Sequence, residues 1–430
     1  MRISLKILKA SRSLLTLLTL KILLTHYFIF YSPPALSFEV LTLENALAKA
    51  FASNPDVASA KARASAEKAA IPSQYSLENP RLEWMQEKEM NSTTNFWSFS
   101  QEIKFPVKYF FAGKAQHLRA HGAQQNVEEK KYEIRKKVIS NYYGIYVASQ
   151  IILLLETQKE TLKKMSKIAE LHYSTDAQAS QQGQMQIHFK QIKVESDIIM
   201  VQQEKEGMSA MLNALLAEDV NLKINISSTD LPIPQINPNA EKIINDLQSS
   251  SKKITSSQAV LNEMQTQNKL ADWNYAPDFM LSLTRPYNNS LQDDYRFSIA
   301  LSIPFWFFMK QNSEANAAFY LTEESKKQHE MVIRETQAEA QLLWSKIKAN
   351  SQLLQIYQTS MLPLVSNTQN STRSAYRAGK SSFLELLDSE EMLYETKIVY
   401  FRSLAQYVEN ISELEQLASV SLSTLPTVEK

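Results

Sequence analysis

Two segments of the chain alternate apolar and polar residues with a period of two. In residues 97–105, Trp97, Phe99, Ile103 and Phe105 lie on one side, and Ser98, Ser100, Glu102 and Lys104 on the other. In residues 295–303, Tyr295, Phe297, Ile299, Leu301 and Ile303 alternate with Arg296, Ser298, Ala300 and Ser302. This predicts two-faced β-strands, because successive strand positions point to opposite sides. Less regular partner strands are predicted at 82–90 and 279–285, across the polar, turn-rich stretches KEMNSTTN and RPYNNSLQDD. Pro80 and Pro277 precede the partner strands, and Pro106 and Pro304 follow the alternating ones.

Around these strands the apolar period becomes helical. Very long helical stretches are predicted at 107–173 and 305–376, each followed by a turn and a return helix, at 178–217 and 381–418. Leu343, Ile347, Asn350, Leu354, Tyr357, Met361 and Leu364 step alternately by four and three, as do Leu387, Glu391, Tyr394, Ile398, Phe401, Ala405 and Val408. Heptad spacing of this kind predicts helices packed as coiled coils. A shorter helix precedes each strand pair, one starting near Leu43 and interrupted at Asn54-Pro55, the other running over 240–274.

The whole order is written twice. Pro80 and Pro277 are 197 residues apart, Pro106 and Pro304 198, and Tyr173 and Tyr376 203. A period near 200 residues reads as a duplicated half-protein, not a solenoid unit. The predicted organisation is an export signal at 1–37, a first repeat at 38–220, a linker at 221–240, a second repeat at 241–420 and a tail at 421–430.

Composition supports long helices: 430 residues carry only 6 Gly and 14 Pro. A net charge of +1 gives no case for nucleic acid. The absence of cysteine excludes disulfides, thiolate metal sites and cysteine lipidation. The N-terminus has a basic start (Arg2, Lys6, Lys9, Arg12), an apolar run and Ala35-Leu36-Ser37, the pattern of a cleaved signal. A retained anchor is the alternative, though Lys21 and His26 interrupt the run.

Strand length and aromatic placement point to a membrane. A tilted transmembrane strand needs about 9–11 residues. Trp84, Trp97, Tyr295, Phe105 and Trp306 sit near strand ends, as in the aromatic girdles of membrane barrels. Four strands cannot close a barrel, and open edges are not tolerated in lipid. Two copies would supply eight strands around a filled interior; three would supply twelve around a lumen. The predicted fold class is therefore mainly α with a small β part. A long antiparallel α-helical barrel joins four transmembrane β-strands per chain, internally duplicated, and a trimer completes a 12-stranded barrel.

Candidate chemistry is sparse. His117 and His121 share a helix face but have no supporting carboxylate or cysteine, so a surface helix is the simpler reading. His172 and His188 flank the first hairpin. Glu390 and Glu391 are adjacent, with solvated surface as the default. No phosphate loop, nucleophile elbow or HExxH is present, so no enzyme, catalytic residue, metal site or cofactor is predicted.

The ordered set LTLENALAKAFASNPDV (41–57), ENPRLEW (78–84), FSQEIKFP followed by GK (99–114), LNALL (212–216) and YRAGKSSFLELLDSEEMLY (376–394) resembles the TolC-like outer-membrane efflux family. The resemblance covers essentially all of the chain after the signal. The P…GK opening of the long helix is similar to the heavy-metal-efflux branch. The chain departs from that branch in lacking a lipidated cysteine and in having Asp176-Ala177 where relatives show a glycine. The resemblance implies a homotrimer in outer-membrane lipid, extending into the periplasm. It also implies docking on a periplasmic adaptor and an inner-membrane pump, as a passive exit duct for efflux or type I secretion. It places the pore-closing, adaptor-meeting tip at Asp176 and Gln178 in the first half and at Arg377, Gly379, Lys380 and Ser381 in the second. Pro80, Pro106, Pro277 and Pro304 then mark the junction between barrel and tube. Gly379 suits a left-handed helix end. Arg377 and Lys380 either bond helix-end carbonyls or form a charged ring, with Asp176 as the partner across the tip. The alternative is a secreted or surface coiled-coil structural or adhesin protein.

Overall fold

The computed structural model describes residues 40–89, 92–173, 177–226, 231–237, 240–287 and 295–426. The predicted export signal lies outside the described residues, and from Thr42 onward the chain forms one unit. It begins with α1 (Leu43–Ser53), α2 (Pro55–Ala69) and α3 (Ile71–Tyr75). The Asn54-Pro55 interruption is a capped break. The Asn54 side chain accepts from the N–H groups of Asp56 (2.9 Å) and Val57 (3.4 Å), and Pro55 fills the first helical position, where no N–H is needed. The same amide donates to the Leu215 carbonyl at 3.0 Å, tying the break to a distant helix end.

Strands β1 (Arg81–Glu89) and β2 (Ser92–Ile103) lead into α4 (Pro106–Tyr173) and its return helix α5 (Ala177–Leu215). At 68 residues α4 is on the order of 100 Å long. It packs against α2 and α5 and against two helices of the second half. Its most apolar stretch is long enough to cross a membrane by length and composition, yet more than half of that stretch is buried inside the protein. Ile139, Tyr142, Tyr146, Ile151 and Leu155 are among its core residues. α4 and α5 approach closely at Gly144, where a Cβ would come within 2.3 Å of Met208 Sδ.

The second half repeats the order with differences. The helix predicted over 240–274 is three pieces: α6 (Ala240–Asn245), α7 (Leu247–Ser250) and α8 (Lys252–Trp273). At the first break Ser249 Oγ donates to the Asp246 carbonyl and to its carboxylate. Short polar side chains of this kind compete with the helix for backbone partners. Strands β3 (Asp278–Tyr287) and β4 (Arg296–Ser302) follow. The next helix, predicted from 305, is α9 (Gln311–Ile356), and residues 305–310 form a turn. The halves differ because Asp278 organises only the first junction. Its carboxylate accepts from the Phe105 N–H (2.8 Å) and from Lys108 (2.8 Å), next to the start of α4. α9 has no side-chain cap.

A five-residue π-turn, Tyr357–Met361, joins α9 to α10 (Leu362–Arg377), and α11 (Phe383–Ala418) returns. This turn explains a departure from the heptad reading. Leu343, Ile347 and Leu354 are buried as predicted, but Met361 and Leu364 are exposed, and Val365 and Gln369 are buried in their place. A π-turn holds one extra residue, so the buried seam resumes one position later. It also accommodates Pro363, whose ring would clash with a carbonyl in an unbroken α-helix. In α11 no member of the predicted series from Leu387 to Val408 is exposed.

The chain end is fixed by a fully buried ion pair between Arg135 of α4 and Glu415 of α11. Arg135 Nε donates to the Pro426 carbonyl at 2.8 Å. Glu415 accepts from the Leu422 N–H at 2.7 Å and from Ser423 Oγ at 2.8 Å. Both charges are thus surrounded by hydrogen-bond partners, which burial requires.

Candidate functional site

All four strands form one antiparallel sheet in the order β1-β2-β3-β4. β2 and β3 pair, so the hairpins of the two halves are joined, and among the described residues β1 and β4 each leave one edge unpaired. The register decides which side chains share a face. Leu82, Phe99, Leu283 and Phe297 form one cross-strand row. Gln101, Leu281 and Ile299 form the next, then Ile103, Phe279 and Leu301. The apolar sets of the two alternating strands therefore lie on the same face. The opposite face carries Arg81, Ser100, Ser282 and Ser298 in one row, and Glu83, Ser98, Thr284 and Arg296 in another. Hydroxyls bond across it: Ser282 to Ser298 at 2.5 Å, and Thr284 to Ser98 at 3.2 Å. Such a sheet suits lipid on one side and water on the other.

Pro80 and Pro277 stand immediately before β1 and β3, Pro106 opens α4, and Pro304 lies between β4 and the turn that follows it. All four sit where strand gives way to helix. The sheet end and the helix ends are thus at opposite ends of α4.

At the far end, the turn between α10 and α11 is built by local bonds. Gly379 takes φ +69°, the left-handed conformation expected of it. The Lys380 N–H donates to the Ala375 carbonyl at 2.9 Å, closing a Schellman-type end. Ser382 caps α11, accepting from the Glu385 N–H at 3.2 Å, while the Glu385 carboxylate accepts from the Ser382 N–H at 3.1 Å. Ser381 Oγ also donates to Glu385. The hydrogen bonds from Ser381 and from the Ser382 N–H hold the Glu385 carboxyl below its ordinary range. Arg377, Gly379 and Lys380 are exposed. Asp176 and the Gln178 side chain lie outside the described residues, as does the pairing expected of Asp176. His117 and His121 lie on α4, and His121 contacts Gln125 at 3.4 Å. Among the described residues no group of three metal-binding side chains occurs.

The structure corrects the reading of Glu390 and Glu391 as solvated surface. Neighbouring helix positions point about 100° apart, so the two acids face different helices. Glu390 is buried, and its Oε1 accepts from Gln369 and Arg373 of α10, each at 2.5 Å. Glu391 faces α5, forming an ion pair with Lys190 and another with Lys193 at 3.4 Å. Lys190 also lies 3.8 Å from Asp388, and Lys193 3.6 Å from Glu395. Burial pushes the Glu391 carboxyl upward, but the hydrogen bonds and charges of Lys190 and Lys193 outweigh it and hold the group below its ordinary range. The two hairpins are thereby tied together near their ends. The i, i+3 spacing of Lys190 and Lys193 puts them on one face, a signal present in the sequence.

Two helix faces carry exposed apolar stripes. On α5 they are Met185, Phe189, Ile192 and Ile199; on α9 they are Leu342, Leu353 and Ile356. Within the chain α5 packs chiefly on α4, and α4 is linked to α9 through both α8 and α11. The stripes therefore belong to the first and last helices of that series.

No protein-family model matches this sequence, and no curated protein matches it. Solved structures match its fold. The outer membrane protein VceC of Vibrio cholerae superposes with TM-score 0.74 at 14% identity, over 88% of this chain and 96% of that one. The CmeC outer membrane channel of Campylobacter jejuni gives TM-score 0.74 at 14% identity, over 91% and 88%. The open state of the MtrE outer membrane channel of Neisseria gonorrhoeae gives 0.75 at 10% identity, over 88% and 89%. The chain has the fold of the TolC-like outer-membrane channels.

Proposed function

We propose that three copies of this chain form an outer-membrane exit duct for efflux or type I secretion, a passive channel across the periplasm and outer membrane. The observation that carries this reading is the two-faced sheet, with both outer edges unpaired among the described residues, continuous with a 68-residue helix. In hydrocarbon every backbone N–H and C=O must be paired, so the free edges of β1 and β4 require neighbouring strands. A second copy alone would give eight strands and a filled interior; a third gives twelve and a lumen lined by the Ser, Thr, Arg and Glu face. The fold likeness to outer-membrane channels supports the same assembly.

In this reading residues 1–37 direct export. The two repeats, 38–220 and 241–420, each supply one hairpin of the barrel and one of the tube. Pro80, Pro106, Pro277 and Pro304 mark the boundary between them. The turns around Asp176, Gln178, Arg377, Gly379, Lys380 and Ser381 form the periplasmic end, which closes the duct and meets an adaptor bound to an inner-membrane pump. Asp176 pairs with Arg377 or Lys380 across that end, and the tie from Lys190 and Lys193 to Glu391 holds the two hairpins of one chain together.

Fractionation tests the reading. A heat-modifiable trimer in the outer membrane that conducts in planar bilayers is the expected result. A monomer in the soluble fraction would overturn it and return the coiled-coil structural reading. Reversing the charge of Arg377 tests the tip separately: conductance rises if the pairing closes the duct and stays unchanged if it does not.

A further inference from the structure

The two outer strands each carry an exposed charge on the polar face, toward the loop end. Arg296 of β4 faces Thr284, and Glu87 of β1 faces Thr94. Among the described residues neither forms an ion pair within the chain. The duplication says where they would meet. The chain already contains one junction between hairpins, β2 with β3, where Arg285 faces Trp97, Thr284 faces Ser98 and Phe279 faces Ile103. In a ring, β4 of one copy meets β1 of the next. These are the second-half counterpart of β2 and the first-half counterpart of β3. Pro106 and Pro304 are 198 residues apart, and Pro80 and Pro277 197. Moving the inner junction by those offsets takes Ser98 to Arg296 and Thr284 to Glu87. The hydroxyl pair that bonds at 3.2 Å inside the chain becomes a pair of opposite charges between copies.

The two hairpins differ in their own register: Arg81 faces Ser100, six residues before Pro106, and Asp278 faces Ser302, two before Pro304. Faces and strand ends therefore decide between neighbouring registers. A one-residue error would set the apolar side chains of β4 against the polar face of β1. The transferred register sets Leu301 against Leu82, Ile299 against Trp84 and Arg296 against Glu87, so both faces stay continuous. It also sets Ser302, the last residue of β4, against Arg81, the first of β1. A slip of two residues one way moves Arg296 to Met85 and Leu301 to Pro80, which has no N–H to pair. The same slip the other way moves Phe297 from Gln86 to the charge of Lys88 on the apolar face.

We propose that the junction between copies takes this register, with Arg296 of one copy ion-paired to Glu87 of the next on the water side of the barrel. This rests on the membrane-barrel reading above and fixes which residues meet in it. Opposite charges directly across a strand pair stabilise it, and like charges there oppose it. The chain has no cysteine, so introduced pairs report without background. Full-length chain carrying Arg296→Cys with Glu87→Cys is oxidised in the outer membrane, beside Arg296→Cys with Met85→Cys and Arg296→Cys with Glu89→Cys. A two-residue slip moves the partner about 6.8 Å along the strand, out of disulfide reach. The first pair is expected to give covalent two- and three-chain species, and the other two none. Arg296→Glu is expected to lower the temperature at which the assembly dissociates on electrophoresis, and Arg296→Glu with Glu87→Arg to restore it. Product from a slipped pair in place of the first, no product from any pair in an intact trimer, or no restoration by the charge swap overturns the register and leaves the ring. An unsubstituted chain that is monomeric in the soluble fraction overturns the barrel reading and the ion pair with it.

Discussion

Ile299 and Ala300 are neighbours on β4 and point to opposite faces, so a pair of arginine substitutions tests the orientation of the sheet. Ile299 shares its row with Leu281, four residues from Arg285 toward the helices, or about 14 Å along the strand. With a strand tilt near 40°, that places it, on the proposed membrane-barrel reading, about 10 Å deeper than the row of Trp84 and Trp97, well inside the hydrocarbon. Ile299→Arg should then cost about 2–4 kcal/mol per chain and roughly 6–12 kcal/mol per three-chain assembly. Ala300 pairs with Met280, which in turn pairs with Glu102, on the polar face, so Ala300→Arg meets water on a face that also carries the Glu102 carboxylate. The assays are heat-modifiability on electrophoresis, the urea midpoint in lipid, and single-channel conductance. Ile299→Arg is expected to lower insertion and the midpoint. Ala300→Arg is expected to leave both nearly unchanged while reducing conductance and shifting selectivity toward anions. The reverse pattern, with Ala300→Arg blocking insertion and Ile299→Arg silent, would refute the assignment of faces and the closure argument built on it.

Glu391→Gln removes the shared partner of Lys190 and Lys193 and should weaken the tie between hairpins by about 1–2 kcal/mol, read as faster amide exchange in α5 around those lysines. Because its folded carboxyl lies below the ordinary range, the tie is present above the unfolded carboxylate pKa and is lost as pH falls through the folded value; exchange in wild-type protein should rise over that acid window and stay flat in Glu391→Gln. Arg135→Met strands the buried Glu415 and should cost about 3–5 kcal/mol in urea unfolding, whereas Arg135→Met with Glu415→Leu should recover most of it. Deleting Thr359 turns the π-turn into α-helix while leaving Val365 and Gln369 on the seam. Its cost should be that of Pro363 in a regular helix, about 3 kcal/mol, and Pro363→Ala in the deletion background should restore the thermal midpoint.

The strand faces were legible because a period of two needs no tertiary information. The register that brings Phe99 and Phe297 to one face was not, because it runs through Leu283 on β3, where Met280 breaks the apolar-polar alternation. The long helices were legible from their few breakers, and Gly379 from its position after the last periodic residue. The π-turn was hidden because Met361 and Leu364 are apolar at the heptad positions an unbroken helix would bury. The burial of Glu390 was hidden for a different reason: its partners, Gln369 and Arg373, come from another helix, and adjacency to Glu391 gave no sign that each acid meets its own neighbour. The aromatic run after Pro304 resembles the opening of α4, but the carboxylate that organises the first junction, Asp278, has no counterpart bonding at the second.

The sheet and the helices pose the same closure problem in different chemistry. In the sheet the incomplete elements are β1 and β4, which among the described residues lack backbone partners on one side. Among the helices they are α5 and α9, whose apolar stripes are exposed. β1 and α5 belong to the first half, and β4 and α9 to the second. A contact between like halves would bring β1 to β1 and α5 to α5, a two-fold arrangement that leaves β4 and α9 open. A contact of the first half of one copy with the second half of the next satisfies backbone and apolar surface together, and repeating it closes a ring. On the proposed reading the ring size is then set by the strands alone, since the lumen must stay open while every edge is paired. Twelve strands from three chains is the smallest number that does both.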